Sequence, residues 1–317
     1  MGSACEAGGK IVPRMNVSVV VPIYQGETFI QPLVAELIRV LPTFTEKYEV
    51  ILVNDGSPDR SWQLIQNLAR EHGCVKGICM MRNYGQHNAT LCGVREACYE
   101  VVVTMDQDLQ HPPETIPLLL AKLEEGYDVV YGAPRKLPQG FLRNFMTAVI
   151  KWILTKVIGL PSVRNVSAFR AFRTNLREAF VNFQSPSLIL DVLLSWGTTR
   201  FTSVPVNIAP ADHSSYSFTM LVRTAMLILI GYSTLPLRFA SWIGFAMTIF
   251  GLGVFIYVLV VYFTAGSPPG FPFLASMIAL VSGAQLFALG IFGEYLARMF
   301  DRSMDRPPYV IHEVVGK

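Results

Sequence analysis

Charge is scarce in this chain, and one long stretch lacks it altogether. Asp, Glu, Lys and Arg make up 15% of the 317 residues, against 51% hydrophobic. None of the four occurs from Phe239 to Gly293, although they recur through the preceding two-thirds of the chain. A soluble helix pair of that length keeps a polar stripe on its solvent face, and the lack of one here argues against a buried hairpin of an ordinary globular core. The length suits two helices of ~20 residues and a turn, each long enough to cross a bilayer core. Gly266-Ser-Pro-Pro-Gly270 supplies the turn. The expected spans are roughly Phe239–Phe263 and Pro272–Arg298, a transmembrane hairpin over 238–299. Arg238 precedes the first span, Arg298, Arg302 and Arg306 follow the second, and the turn carries no Lys or Arg. By the positive-inside rule both termini are cytoplasmic, which predicts a multi-pass protein of the cytoplasmic (inner) membrane.

Other absences narrow the chemistry. Five cysteines without a CxxC pair support neither a disulfide framework nor a zinc site. A formal net charge of +3 is too small to point to nucleic acid. The first residues, MGSACEAGGK, lack a signal-peptide h-region and read as part of a disordered tail over 1–14. No GxGxxG follows the first apolar run, and no GxxxxGKS/T occurs anywhere. That argues against a dinucleotide-binding Rossmann domain and a P-loop NTPase.

What is present is an alternation. VSVVVPI (17–23), VILVN (50–54), VKGICMM (75–81), VVVTMD (101–106) and DVVYG (128–132) read as strands. Segments around Thr28–Leu41, Ser61–His72, Gln86–Tyr99 and Pro113–Glu125 read as helices. Strands separated by single helices predict an α/β fold with a mainly parallel sheet. Runs that are apolar throughout fit strands covered on both faces. Ligands of such sheets bind beyond the carboxyl ends of the strands. The polar residues there are the candidates: Tyr24 and Glu27, Asn54 to Ser57, Arg82 and Asn83, Asp106 and Asp108, and Arg135.

The fourth run leads into TMDQDLQHPPE (104–114). Asp106, Asp108 and Gln110 alternate, and in an extended segment alternate side chains point the same way. Two carboxylates and an amide oxygen suit a hard octahedral cation such as Mg²⁺ or Mn²⁺. Such an ion would offset phosphates that no phosphate loop is there to receive. On these residues alone a second reading also stands, a polar turn closing a buried strand. Asn54-Asp-Gly-Ser-Pro-Asp59 carries a similar pair of readings. Gly56 suits a positive φ and Ser57 or Asp59 an N-cap, which leaves Asp55 free to accept hydrogen bonds from a base or ribose. His87 and His111 read as solvated residues flanking helices, and Glu294 and Arg298 as a structural i, i+4 pair.

Two further stretches read as amphipathic. Gly140–Leu160 sets Phe141, Phe145, Val149, Trp152 and Ile153 against Arg143, Lys151 and Lys156. Tyr216–Pro236 has Arg223 as its only charge. Both suit helices lying in a membrane interface, with ordinary packing helices as the alternative.

PIYQGE, VNDGSPDRSW, RNYGQHNA, MDQDLQHPPE, GYDVVYG, FRAF and GEYLARMFDRSMDRPPY occur in the order found in family 2 glycosyltransferases of GT-A fold. Over about residues 16–312 the chain resembles their polyprenyl-phosphate glycosyltransferases. These include bacterial enzymes that load glucose or 4-deoxy-4-formamido-L-arabinose onto undecaprenyl phosphate, and dolichol-phosphate mannose synthase is related. The resemblance implies a cytoplasmic GT-A domain over 15–237, interfacial helices at about 140–160 and 216–236, and a cytoplasmic tail over 300–317. It implies nucleotide contacts from Pro22, Tyr24, Glu27, Asp55, Arg82 and Asp106. It also implies a Mg²⁺ or Mn²⁺ ion on Asp106, Asp108 and Gln110. Arg143 and Thr147 match the acceptor-phosphate site, and Arg170 lies where the family closes the sugar pocket. The implied catalytic set is Asp108, Arg135, Arg143 and Arg170. A homo-oligomer, often a tetramer, is implied as well.

Two departures from the family pattern bear on the donor. The aspartate often found shortly before the FR pair is absent from Arg164–Arg170, and the basic pair of an R…GxSKYS loop is absent from Pro210–Ser217. Ser167, His213, Ser214 and Tyr216 are left as the sugar and diphosphate candidates, with His213 offering a partial charge. A lipid phosphate has its second pKa near ~6 and is largely dianionic at neutral pH, so it can attack an anomeric carbon without a general base. The expected reaction is an inverting, metal-dependent transfer of a sugar from a nucleotide diphosphate, UDP foremost, to polyprenyl phosphate at the cytoplasmic face. A processive polysaccharide synthase would need a QxxRW motif and more spans; a non-catalytic membrane scaffold would form no lipid-linked product.

Overall fold

The computed structural model describes residues 6–7, 10–11, 15–134, 167–185, 188–207, 235–265 and 270–316. The chain divides into two compact units, 1–215 with 305–317, and 216–304. The first is built on eight strands: β1 (Val17–Ile23), β2 (Tyr48–Asn54), β3 (Val75–Met80), β4 (Val101–Thr104), β5 (Val129–Pro134), β6 (Arg170–Arg173), β7 (Phe201–Val206) and β8 (Ile311–Val315). Five helices belong to it among the described residues: α1 (Ile30–Val40), α2 (Ser61–Glu71), α3 (Gln86–Glu96), α4 (Ile116–Glu124) and α5 (Leu190–Gly197).

The strand order is β8-β3-β2-β1-β4-β6-β5-β7. The β1–β2, β2–β3, β1–β4 and β5–β7 pairs are parallel, while β6 and β8 run antiparallel to their neighbours. Every residue of β1 is buried, because helices cover both faces of the sheet. Val17, Val19, Val21 and Ile23 join Leu33 and Leu37 of α1, Ile65 of α2 and Leu119 and Leu123 of α4 in one core. Val20 joins Ile51, Val53, Leu91 and Val94 of α3 and Leu190 and Leu194 of α5 in the other. Each Val or Leu so buried contributes about 1.5–3 kcal/mol, which is why the strands read as unbroken apolar runs. The order reverses on the two sides of β1: β2 and β3 lie on one side, β4 on the other. The crevice beyond the carboxyl ends of β1 and β4 is therefore the switch point where open α/β sheets bind ligands.

Several elements were not legible as such. β6, β7 and α5 have no counterpart in the sequence reading, and 311–315, expected within a cytoplasmic tail, forms the edge strand β8, antiparallel to β3. Only its end residues, Ile311 and Val315, are half-buried, and the three between them are exposed, so no buried apolar run marks it as a strand. Near the start, Glu6–Ala7 pairs with Lys10–Ile11 within the stretch expected to be disordered.

The second unit contains α6 (Leu235–Ala265) and α7 (Phe271–Ser303). Both have segments long and apolar enough to cross a membrane, Leu235–Thr264 and Leu280–Asp301. Trp242, Phe245, Phe255, Leu286 and Phe292 are exposed along them. The hydroxyls of Thr248 and Thr264 donate to the carbonyls four residues earlier, at 2.9 and 2.7 Å. Polar groups so satisfied within their own helix suit an apolar surrounding. Arg298 Nη2 donates to Glu294 Oε1 at 3.1 Å, the expected i, i+4 pair.

Candidate active site

Four loops, those after β1, β2, β3 and β4, are tied together at the switch point. After β1 the chain turns through Gln25, whose φ is +52°. Tyr24 N–H donates to Gln107 Oε1 at 3.0 Å, and Gln107 Nε2 donates back to the Tyr24 carbonyl at 2.9 Å. This reciprocal pair ties the loop after β1 to the one after β4. A Cβ on Gly26 would stand 2.7 Å from that Gln107 oxygen, so a larger residue would push the clamp apart. On the other side, Gln25 N–H donates to Ser57 Oγ at 3.1 Å and Gly26 N–H to Ser61 Oγ at 3.0 Å. Glu27 N–H donates to Asp59 Oδ2 (3.3 Å), and Arg60 N–H to Glu27 Oε2 (3.4 Å). Pro22 is buried at the end of β1, while Tyr24 and Glu27 are exposed in the crevice wall.

Asp55 is not free. Its side chain is buried, and both carboxylate oxygens accept backbone N–H groups, from Tyr84 at 2.7 Å and Gly85 at 2.8 Å. Burial pushes its carboxyl above the usual range, and those two N–H groups work against the shift. Asp55 thus pins the loop after β3, where the Arg82 guanidinium lies 4.5 Å from the centre of the Tyr84 ring. Gly56 has a φ of +62°, and a Cβ there would lie 2.4 Å from the Arg82 carbonyl carbon. Only glycine suits that close approach.

The paired aspartates are held by a turn rather than by strand alternation. β4 ends at Thr104, Leu109 takes a φ of +57°, and Gln110 N–H donates to Asp108 Oδ1 at 3.1 Å. Gln110 therefore reaches its place through the turn, and the strand argument for convergence is corrected on that point. Gln86 Nε2 of α3 donates to Asp106 Oδ1. Burial, with the neighbouring Asp108 charge, pushes Asp106 up to about 6, while Arg170 and Gln86 pull the other way.

Among the described residues no group of three or more His, Cys, Asp or Glu side chains is arranged to hold a metal ion. The two carboxylates nonetheless fit a divalent cation that takes its remaining ligands from an amide and from substrate oxygens. Their mutual repulsion in a poorly solvated crevice is what a dication offsets. His111, expected to be solvated, is buried, and its ring stacks on Phe169 with centroids 5.1 Å apart. Both its ring nitrogens are buried without a partner, and burial pushes its pKa down against the pull of Asp108. The His111 ring thus keeps both nitrogens without a hydrogen-bond partner among the described residues.

Arg170 is also buried. Its Nη1 donates to Asp191 Oδ1, its Nε to Thr104 Oγ1 at 3.2 Å, and the Tyr131 hydroxyl donates to the same Asp191 oxygen at 2.8 Å. The sequence reading found no carboxylate near the FR pair. The structure supplies one from α5, across a fold contact that no local motif announces. His87 faces solvent inside the crevice, and the surrounding protein together with Arg170 pushes its pKa down. Ser167 is half-buried ahead of β6, and its Oγ accepts the Phe169 N–H at 3.2 Å. Arg135, Arg143, Thr147, His213, Ser214 and Tyr216 lie outside the described residues, as do the expected interfacial helix 140–160 and most of 216–236.

A largely parallel sheet without a phosphate loop, with paired aspartates at its switch point, is GT-A-like in fold. Residues 18–180 match Glycosyl transferase family 2, and the chain belongs to that family of glycosyltransferases. It is 34% identical over 307 residues to an undecaprenyl-phosphate 4-deoxy-4-formamido-L-arabinose transferase of Proteus mirabilis, covering 95% of this chain and 94% of that one. A protein of the same name from Serratia proteamaculans is 30% identical, over 97% and 96% of the two chains. Among solved structures, glucosyl-3-phosphoglycerate synthase of Mycobacterium tuberculosis, in complex with Mn²⁺, uridine diphosphate and glucosyl-3-phosphoglycerate, shares the fold. The TM-score is 0.52 at 18% identity, over 69% of this chain and 80% of that one.

Proposed function

We propose that this protein transfers a sugar, with inversion, from UDP to a polyprenyl phosphate such as undecaprenyl phosphate, at the cytoplasmic face of the membrane. One observation carries the reading: the chain that sets Asp106 and Asp108 at the switch point of its sheet also carries two helices of membrane-crossing length. The relatives' printed activity, with a polyprenyl-phosphate acceptor, supports it, as do the Mn²⁺ and uridine diphosphate held by the mycobacterial synthase.

Each group then has a task. Pro22, Tyr24, Glu27, Asp55 and Arg82 form the nucleotide side, with Asp55 fixing the loop that carries Arg82 and Tyr84. Asp106, Asp108 and Gln110 would hold Mg²⁺ or Mn²⁺, which when bound neutralises charge on the departing diphosphate. Arg135 adds positive charge at the diphosphate, Arg143 and Thr147 receive the acceptor phosphate, and Ser167, His213, Ser214 and Tyr216 border the sugar. A dianionic lipid phosphate is its own nucleophile, so positioning replaces a general base, and a single in-line displacement inverts the anomeric centre. Arg238 before α6 and Arg298, Arg302 and Arg306 after the apolar part of α7 support a hairpin with both termini cytoplasmic. A tetramer is the oligomeric state proposed by resemblance.

The test offers a panel of UDP-sugars with polyprenyl phosphate to the full chain in detergent, reading the lipid product by mass. A lipid-linked sugar from one donor, dependent on a divalent cation, is the expected result. No lipid product from any donor, in protein shown to bind UDP, would overturn it.

A further inference from the structure

Asp191, the carboxylate that holds Arg170, has no part in the reaction so far. Asp191 lies in the first turn of α5 and is only 5% exposed. It holds Arg170 through Nη1, while Thr104 Oγ1 accepts from Arg170 Nε and donates to the Ala168 carbonyl at 2.7 Å. The guanidinium carbon lies 5.9 Å from the centre of the Tyr131 ring. Thr104 ends β4, two residues before Asp106, so this buried cation is bonded to the strand end that leads into the carboxylate pair. Its charge acts on Asp106 and on His87, and Asp191 also acts on His87.

A buried ion pair adds little net stability compared with well-packed apolar residues, so stability alone is a weak account of this one. The arrangement does solve an electrostatic problem. A guanidinium free to reach a carboxylate forms strong, frequently bidentate pairs with it. Here Asp191 and Tyr131 on one side and Thr104 on the other fix it away from them.

We propose that Asp191 is a positioning residue: it anchors Arg170 against Tyr131 and Thr104 and so keeps the guanidinium from pairing with Asp106 in place of a divalent cation. The proposal rests on the reading that Asp106 and Asp108 hold such a cation. It assigns the buried carboxylate an effect on cation affinity although it is not a ligand.

The experiment measures Mn²⁺ binding to the full chain in detergent, with UDP present, from the electron paramagnetic resonance signal of free Mn²⁺. Asp191→Asn is expected to raise the Kd about tenfold, within the range for coupled neighbours. Adding Arg170→Gln to it should restore the Kd to within about twofold, because the competing cation is gone. Wild-type affinity in Asp191→Asn, or no recovery in the double variant, overturns the proposal and leaves the cation reading intact. No Mn²⁺ binding by the wild type overturns both. Should Asp191→Asn fail to fold, Asp191→Glu keeps the charge and should hold the Kd within about twofold of wild type. A tenfold loss there, in folded protein, also overturns the proposal.

Discussion

Asp108 accepts the Gln110 N–H in the turn and adds to the electrostatic pressure on Asp106, so its removal separates chemistry from folding. Asp108→Ala is expected to lower kcat by about 10²–10³-fold, the size of effect seen when one stabilising group for a developing charge is lost. Thermal unfolding of the cation-free protein should change little, since the side chain is partly solvated. Asp106 gives the complementary prediction. Its folded pKa of about 6 lies above the ordinary 3.8, so between those values the folded state binds the extra proton. Stability of the cation-free protein is then highest below pH 4 as far as this group is concerned, and falls as the pH rises through 6, by ~3 kcal/mol in total. Denaturant titrations at pH 4.5 and 7 without divalent cations, compared with Asp106→Asn, read this out. The variant should lose that pH dependence and be the more stable of the two at pH 7.

At the scale of elements, what was legible followed burial. β1, β2, β3 and β4 carry long apolar runs because helices cover both faces, and the residues after them could be picked out as candidates. β6 (RAFR), β7 (FTSVPV) and β8 (IHEVV) mix charged, hydroxyl or proline residues with apolar ones, and short mixed strands carry no periodic signal. A structural ion pair is one reading of Arg170 from the sequence, but its partner Asp191 was illegible for a related reason: the contact is a tertiary one between a strand and a helix. β8 makes an element-scale prediction. It covers β3, the Met81 N–H donates to the Val310 carbonyl at 2.9 Å, and Trp62 Nε1 donates to Glu313 Oε2 at 3.1 Å. The Arg95 guanidinium stacks 5.7 Å from the Tyr309 ring. Ending the chain at Pro308 uncovers the edge of β3 beside the Arg82 loop. The melting temperature should fall by roughly 5–10 °C, and KM for the sugar nucleotide should rise. An unchanged melting curve would show that β8 is not holding that edge.

At the scale of the whole molecule the two units demand different solvents. One buries continuous apolar strands under helices, and the other exposes apolar side chains along two long helices. In the proposed topology the sheet unit and both termini face the cytoplasm, where the nucleotide sugar is made available, and only the turn at 266–270 crosses to the far side. The direction follows from charge alone: the turn has no Lys or Arg, while Arg238, Arg298, Arg302 and Arg306 flank the apolar segments. Alkaline phosphatase inserted after Ser267 should be active, because it folds with its disulfides only in an oxidising compartment. A fluorescent protein fused after Lys317 should fluoresce, and phosphatase fused there should not. If the activities were exchanged between the two sites, β8, and with it the sheet it pairs into, would lie on the side away from the donor. Transfer from a cytoplasmic sugar nucleotide could not then be the reaction, whatever Asp106 and Asp108 bind.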